Sequence, residues 1–165
     1  MHAETITFAA PWDNPLRVFT PLICALVLAL ALFMPATIPL QWVVKGILLM
    51  TLLGIWAWAP RAYRMERNHL IVQRLIGDVR IPFTTLRRVR IMSPDETRGA
   101  VRIWAVGSCF GYFGRFLNGT ETQTWYVTDT EKCIRLECSP HPIVISPADP
   151  EALISALPLS LQRSK

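Results

Sequence analysis

The sequence is short of charge. Only 18% of its 165 residues are Asp, Glu, Lys or Arg, against about 25% in an ordinary soluble domain. The deficit is concentrated, with no charged residue between Val18 and Val44 and, after Lys45, none from Gly46 to Pro60. That gap excludes a wholly soluble globule, and a mean hydropathy of +0.32 excludes disorder. Cysteine is scarce as well, at four. Cys24 lies in the apolar stretch while Cys109, Cys133 and Cys138 are scattered, which argues against a secreted disulfide framework and for reduced, small apolar side chains. Cys133, Cys138 and His141 are spaced C-x4-C-x2-H, but no second pair completes the four-ligand spacing of structural zinc, and no metal is expected.

Catalytic patterns are missing too. There is no Gly-x-Ser-x-Gly, no paired His at helical spacing, no Ser-His-Asp arrangement and no phosphate loop ending in Gly-Lys-Ser. Gly107, Gly111, Gly114 and Gly119 are not followed by a Lys and a helical pattern, and read as bends or bulges in the backbone. Neither enzymatic activity nor a cofactor is expected.

What is present is apolar length. Leu16 to Met34 and Leu40 to Ala59 supply 19 and 20 residues, and at ~1.5 Å per residue each makes a helix of roughly 30 Å, the thickness of a bilayer's hydrocarbon core. The break Pro35-Ala36-Thr37-Ile38-Pro39 is too short for a domain, so residues 16–60 read as a transmembrane helical hairpin. Asn14-Pro15 supplies a cap followed by proline at the first helical position, and Pro21 kinks the helix or delays its start. Lys45 falls in the second turn of its helix, where its stem can carry the ammonium to the interface. Trp42, Trp56 and Trp58 stand near the two ends of that span, where aromatic belts belong. Met1-His2-Ala3-Glu4 lacks the positive region of a signal peptide. Arg17 at the start of the hairpin and Arg61, Arg64 and Arg67 at its exit put both termini in the cytoplasm by the positive-inside rule. The expected location is the cytoplasmic (inner) membrane, and the sequon Asn118-Gly119-Thr120 is then accidental.

Residues 61–165 change character, to short β-type runs between turn residues. Seven strands are predicted: Leu70–Arg74, Val79–Phe83, Arg87–Met92, Val101–Ala105, Gln123–Thr128, Cys133–Cys138 and Ile143–Ile145. Gly77 closes a tight turn at 76–78, and Ser93-Pro94-Asp95-Glu96 reads as a polar turn. The connection lengths predict antiparallel pairing throughout. Asp149 then caps a helix with Pro150 at its first position and a stripe of Leu153, Ile154 and Leu157, ended by Pro158. Within the N-terminal segment, residues 1–15, Thr5 to Ala9 is a candidate edge strand. The predicted fold is α+β: a membrane hairpin, then a seven-stranded sheet curled over a small core and plugged by a C-terminal helix.

Three ordered motifs carry a resemblance: Gly111-Tyr112-Phe113-Gly114-Arg115-Phe116, Trp125-Tyr126-Val127-Thr128-Asp129, and Ile145-Ser146-Pro147-Ala148-Asp149-Pro150-Glu151. Over roughly residues 65 to 160 the chain resembles the bacterial pleckstrin-homology-like (PH-like) domains, which are often attached to a pair of membrane helices. The resemblance implies a seven-stranded antiparallel split β-barrel with a capping C-terminal helix, and no catalysis. Pleckstrin-homology domains are known for clamping phosphoinositides with basic residues of the first inter-strand loop. Here that loop is Ile76-Gly77-Asp78, too short and bearing a carboxylate, so specific phosphoinositide binding is not expected.

A broader electrostatic role remains. From Pro60 onward there are 15 Lys and Arg against 10 Asp and Glu. Arg61, Arg64, Arg67, Arg87, Arg88 and Arg90 are the candidate contacts to anionic lipid, each worth ~1 kcal/mol when held at an acidic leaflet. The alternative for Arg87, Arg88 and Arg90 is a solvated strand face. Phe110, Tyr112, Phe113 and Phe116 are candidates for an exposed patch or for core packing. The expected function is a non-catalytic binding or scaffold module at the cytoplasmic membrane face, partnered by the bilayer and an unidentified protein. The alternative is an accessory subunit packing through its hairpin, where Gly46, Gly54 and Ala57 allow close helix approach. No nucleic-acid-reading motif occurs, and no nucleic acid is expected as partner.

Overall fold

The computed structural model describes residues 5–33, 40–107 and 109–158. The proline-punctuated break at 35–39 lies outside the described residues. Strand β1 (Ile6–Ala9) is followed by two helices, α1 (Asn14–Phe33) and α2 (Leu40–Trp58), both long and apolar enough to cross a membrane. Their large side chains point outward: Leu26, Leu32, Val43, Met50 and Leu53 are all exposed, the reverse of the amphipathic surface helix of a soluble fold. Lys45 carries its ammonium over the Trp42 ring at 5.0 Å, one turn toward the start of α2.

The β domain contains two sheets rather than the single curled sheet expected from the sequence. In the first, β1 pairs with β2 (Ala62–Met65), β2 with β3 (His69–Gln73) and β3 with β4 (Val79–Pro82), all antiparallel. The second is ordered β5 (Leu86–Ile91), β9 (Ile134–Cys138), β10 (Ile143–Ile145), β8 (Glu121–Val127), β7 (Tyr112–Asn118), β6 (Val101–Val106). The two sheets do not form a closed barrel. Pairing is not uniformly antiparallel either, since β10 runs parallel to β8. The connection 128–133 carries the chain past one position, and β10 returns into the gap beside β9.

Three other expectations are corrected by local chemistry. Residues 62–65, read as the basic flank of the second helix, form β2. Residues 112–118, which overlap the motif Gly111–Phe116 and are absent from the predicted strands, form the full strand β7. Ser93 to Glu96 is the start of a short helix, α3 (Pro94–Arg98): the Ser93 hydroxyl accepts from the Glu96 N–H and the Glu96 carboxylate accepts from the Ser93 N–H, both at 3.3 Å. This reciprocal cap satisfies two otherwise unpartnered amides. Arg90 bonds the same carboxylate at 2.8 Å and holds it below the ordinary pKa range.

Period-two alternation sends the second sheet's side chains into two cores. Ile134, Leu136 and Ile145 face the first sheet, where Tyr63, Leu70, Val72 and Ile81 meet them, and helix α4 (Pro150–Ala156) closes this core with Leu153. Asp149 caps α4 by accepting from Ala152 N at 2.9 Å, as its sequence predicts. Phe116, Trp125, Val127 and Val144 face the other way, with Phe116 stacked on Trp125 at 4.4 Å.

One polar knot ties the sheets together. Ser146 Oγ accepts from Thr128 N at 2.8 Å and Asp129 N at 3.1 Å, while the Tyr63 hydroxyl donates to Tyr126 O at 2.6 Å and accepts from Ser146 N at 3.1 Å. Burial pushes the Tyr63 phenol up to about 12. Each polar group of this knot is thus paired, as a low-dielectric interior requires.

Candidate functional site

The helices are built into the β domain at both of their roots. At the start of α1 the cap is Asp13, one residue before the Asn14 read as the cap from the sequence. Its Oδ1 accepts from Leu16 N at 2.9 Å. Its Oδ2 accepts from Thr130 Oγ1 at 3.2 Å, and its own N–H donates to Thr128 O at 3.0 Å. Asp13 is only 8% exposed and Leu16 is fully buried. One carboxylate therefore both starts the helix and fastens it to the loop after β8. Farther along, the buried Thr20 hydroxyl accepts from Phe110 N at 3.1 Å. Phe110 sits at a φ of +59°, unusual for a bulky residue, with its ring edge-on to Trp12 at 6.1 Å.

At the end of α2 the Ala57 carbonyl accepts from Leu75 N at 3.1 Å and Ile76 N at 3.2 Å. These are amides of the β3–β4 turn capping a helix C-terminus from outside, where carbonyls lack intrahelical partners. With β2 present, the domain's first inter-strand loop is the β2–β3 turn at 66–68 rather than the β3–β4 turn to which the sequence pointed. In the β3–β4 turn Arg74 bonds the turn's own Gly77 carbonyl, and Leu75 and Ile76 are half-exposed beside the helix end.

The six candidate arginines are not brought together. Arg61 is exposed at the end of α2 with its guanidinium 4.4 Å from the Trp56 ring centre. Arg64 pairs with Glu66 at 2.7 Å. Arg67 is exposed in the β2–β3 turn, six residues farther along an extended chain, a reach of up to ~20 Å from Arg61. Arg87 and Arg88 are exposed on β5, Arg88 opposite Glu137, while Arg90 is committed to Glu96 and lies opposite Arg135. Arg135 itself pairs with Glu121 and Glu137. This outer face is an ion-pair lattice rather than a bare basic patch.

The aromatic motif serves packing. Phe113 and Phe116 are buried and Tyr112 is half-buried; burial first, then the Asp13 carboxylate, pushes the Tyr112 phenol up to about 12. Gly111 lies against Val127 O and Pro60, Gly114 against β6, and Arg115 is exposed across from Trp104. The exposed apolar surface is elsewhere, on edge strand β6, where Val101, Ile103 and Trp104 are 62%, 55% and 83% exposed. Nothing local distinguished them from core residues, because an edge strand and a central strand share one alternation.

A cleft of about 360 Å³ borders the start of α1, lined by Trp12, Asn14, Arg17, Arg98, Thr130 and Glu131. Its charges are mixed. A second, of about 310 Å³, lies between β4 and the β8–β10 side and includes Cys138 and His141. Burial pushes the Cys138 thiol up to about 11 and raises that of Cys133 as well, so neither is a thiolate nucleophile at neutral pH. Among the described residues no cluster of three or more His, Cys, Asp or Glu can hold a metal ion.

A β domain of two sheets with a closing C-terminal helix, rooted on an apolar helix pair, defines the class. The family model described as bacterial PH domain matches residues 61–159. The chain belongs to the bacterial PH domain family. Domains of this kind are generally non-catalytic and commonly bind lipids or proteins. Comparison with curated proteins and with solved structures finds no match.

Proposed function

We propose that the protein is a non-catalytic binding or scaffold module held at the cytoplasmic face of the inner membrane by two spans, with both termini cytoplasmic. The observation that carries this reading is the double rooting of the helices: Asp13 and Thr20 on α1, and Ala57 on α2, are hydrogen-bonded into the domain. A tether meant only for attachment needs no such fixation. Fixed roots favour a domain presented to the bilayer and to partners at one depth and orientation.

In this reading Leu75 and Ile76 enter the interfacial layer beside the end of α2. Arg61 meets anionic headgroups first, with Arg64, already paired to Glu66, adding less. Arg67, Arg87, Arg88 and Arg90 contribute through the longer-range field, screened over a Debye length of ~8 Å. Specific phosphoinositide and nucleic-acid binding form no part of the proposal.

The accessory-subunit reading places the partner in the bilayer instead, and photo-crosslinking in native membranes separates the two. The full chain is required, because β1 completes the first sheet and a version lacking residues 1–60 loses that strand. A photoreactive residue at 104, on the exposed β6, is expected to capture a protein partner, while one at Met50, exposed on α2, captures only lipid. Capture at 50 and not at 104 would transfer the function to the helices.

A further inference from the structure

Between the two helix roots lies a crevice of about 270 Å³ that none of the contacts above fills. Its walls are Trp12 and Ala10 from the approach to α1, Trp56, Ala59 and Pro60 from the end of α2, and Phe110 from the β6–β7 connection. Arg61 stands among them. The walls are apolar and aromatic, and Trp12 and Trp56 remain 37% and 40% exposed. Arg61 brings five N–H donors on a fixed planar cation. Its guanidinium rests on the Trp56 ring, and among the described residues none of the ion pairs involves it.

An unpaired guanidinium beside an indole wall, where two apolar helices meet a polar domain, is complementary to a ligand with an anionic head and a hydrocarbon body. The volume falls just below that of ordinary small-molecule sites, which suits part of a lipid better than a whole soluble ligand. The neighbouring arginines differ: Arg64 is neutralised by Glu66 and Arg90 by Glu96. We propose that this crevice is a binding site for a single anionic phospholipid. Its phosphate is bound by Arg61, and its glycerol and upper acyl segment are packed against Trp12, Trp56 and Phe110. The inference rests on the membrane-spanning reading of α1 and α2.

The test is native mass spectrometry of the full chain in mild detergent with added phosphatidylglycerol. The wild type is expected to retain one lipid per chain. Arg61→Gln should weaken retention about tenfold or more, the loss expected for a charge-assisted hydrogen bond. Arg61→Lys, which keeps the charge, should restore part of it, and Arg80→Gln, an equal charge change at an exposed residue of β4, should retain lipid like the wild type. Equal retention by wild type and Arg61→Gln overturns the site. Displacement of the lipid by an equimolar amount of inorganic phosphate overturns its lipid character in favour of a free-anion site. A chain that stays in solution without detergent overturns the parent reading. A detergent-dependent chain whose lipid retention ignores residue 61 overturns this proposal alone.

Discussion

Gly114→Ala is expected to destabilise the β domain by about 3 kcal/mol or more, lowering its Tm by on the order of 10–20 °C. Gly114 lies within β7 at a φ of +125°, a conformation that L side chains rarely adopt. A Cβ there would stand 2.4 Å from the Trp104 carbonyl oxygen and 2.6 Å from the Ala105 Cα. Both obstacles are backbone atoms of the paired strand, so no rotamer change relieves them; β6 must move away or the pairing must break. The register of β6 on β7 already shifts between Arg102 and Trp104, and the bulge and the glycine fit one another. Gly99→Ala is the comparison, because a Cβ there meets nothing closer than 3.5 Å, and its effect should stay within about 0.5 kcal/mol. Thermal unfolding of the two purified full-length variants decides the matter. Equal midpoints would show that the β6–β7 contact is not as close as described.

Asp13→Ala is expected to cost about 1–3 kcal/mol, combining a lost helix cap with half-buried Thr130 donors left unpaired. Asp13→Asn should lie between wild type and alanine. Its carbonyl oxygen still caps Leu16 N, but its amide faces the Thr130 N–H, itself a donor, and the Thr130 hydroxyl must turn to accept instead of donating. The signature is local as well as global. Hydrogen exchange at residues 128–131 should accelerate in both variants, because the carboxylate holds Thr130 and only the Asp13 N–H to Thr128 O bond is left to fasten the loop. Wild-type exchange in Asp13→Ala would mean that the helix and domain are not coupled there.

The sequence made the helices legible because a charge-free run of bilayer length has few other readings. The C-terminal helix was equally legible through Asp149, Pro150 and the Leu153–Leu157 spacing. Alternation identified the strands that lie between an apolar core and polar surroundings, Ile134 to Cys138 most clearly. It did not identify β2, whose Ala62-Tyr63-Arg64-Met65 is too short and is masked by the positive flank of α2. Nor did it identify the parallel partner of β8, because strand order depends on contacts distant in sequence. The capping box at Ser93 and Glu96 was readable as a motif, yet a five-residue helix leaves no periodicity to support it. At the candidate site Arg61 and the arginine-rich flank were visible. The aromatic crevice was not, since Trp12, Trp56 and Phe110 meet only through the fold. Asp13 was one residue from the cap assigned by sequence, and nothing local distinguished it from Asn14 as the one that also holds Thr130.

The topology is the central claim, and protease protection of the full-length protein tests it most directly. Trypsin should leave the domain intact in sealed spheroplasts and cut it in inverted inner-membrane vesicles, where exposed arginines such as Arg67 and Arg87 face the enzyme. Ready digestion in sealed spheroplasts would place the domain on the opposite side of the membrane and contradict the account.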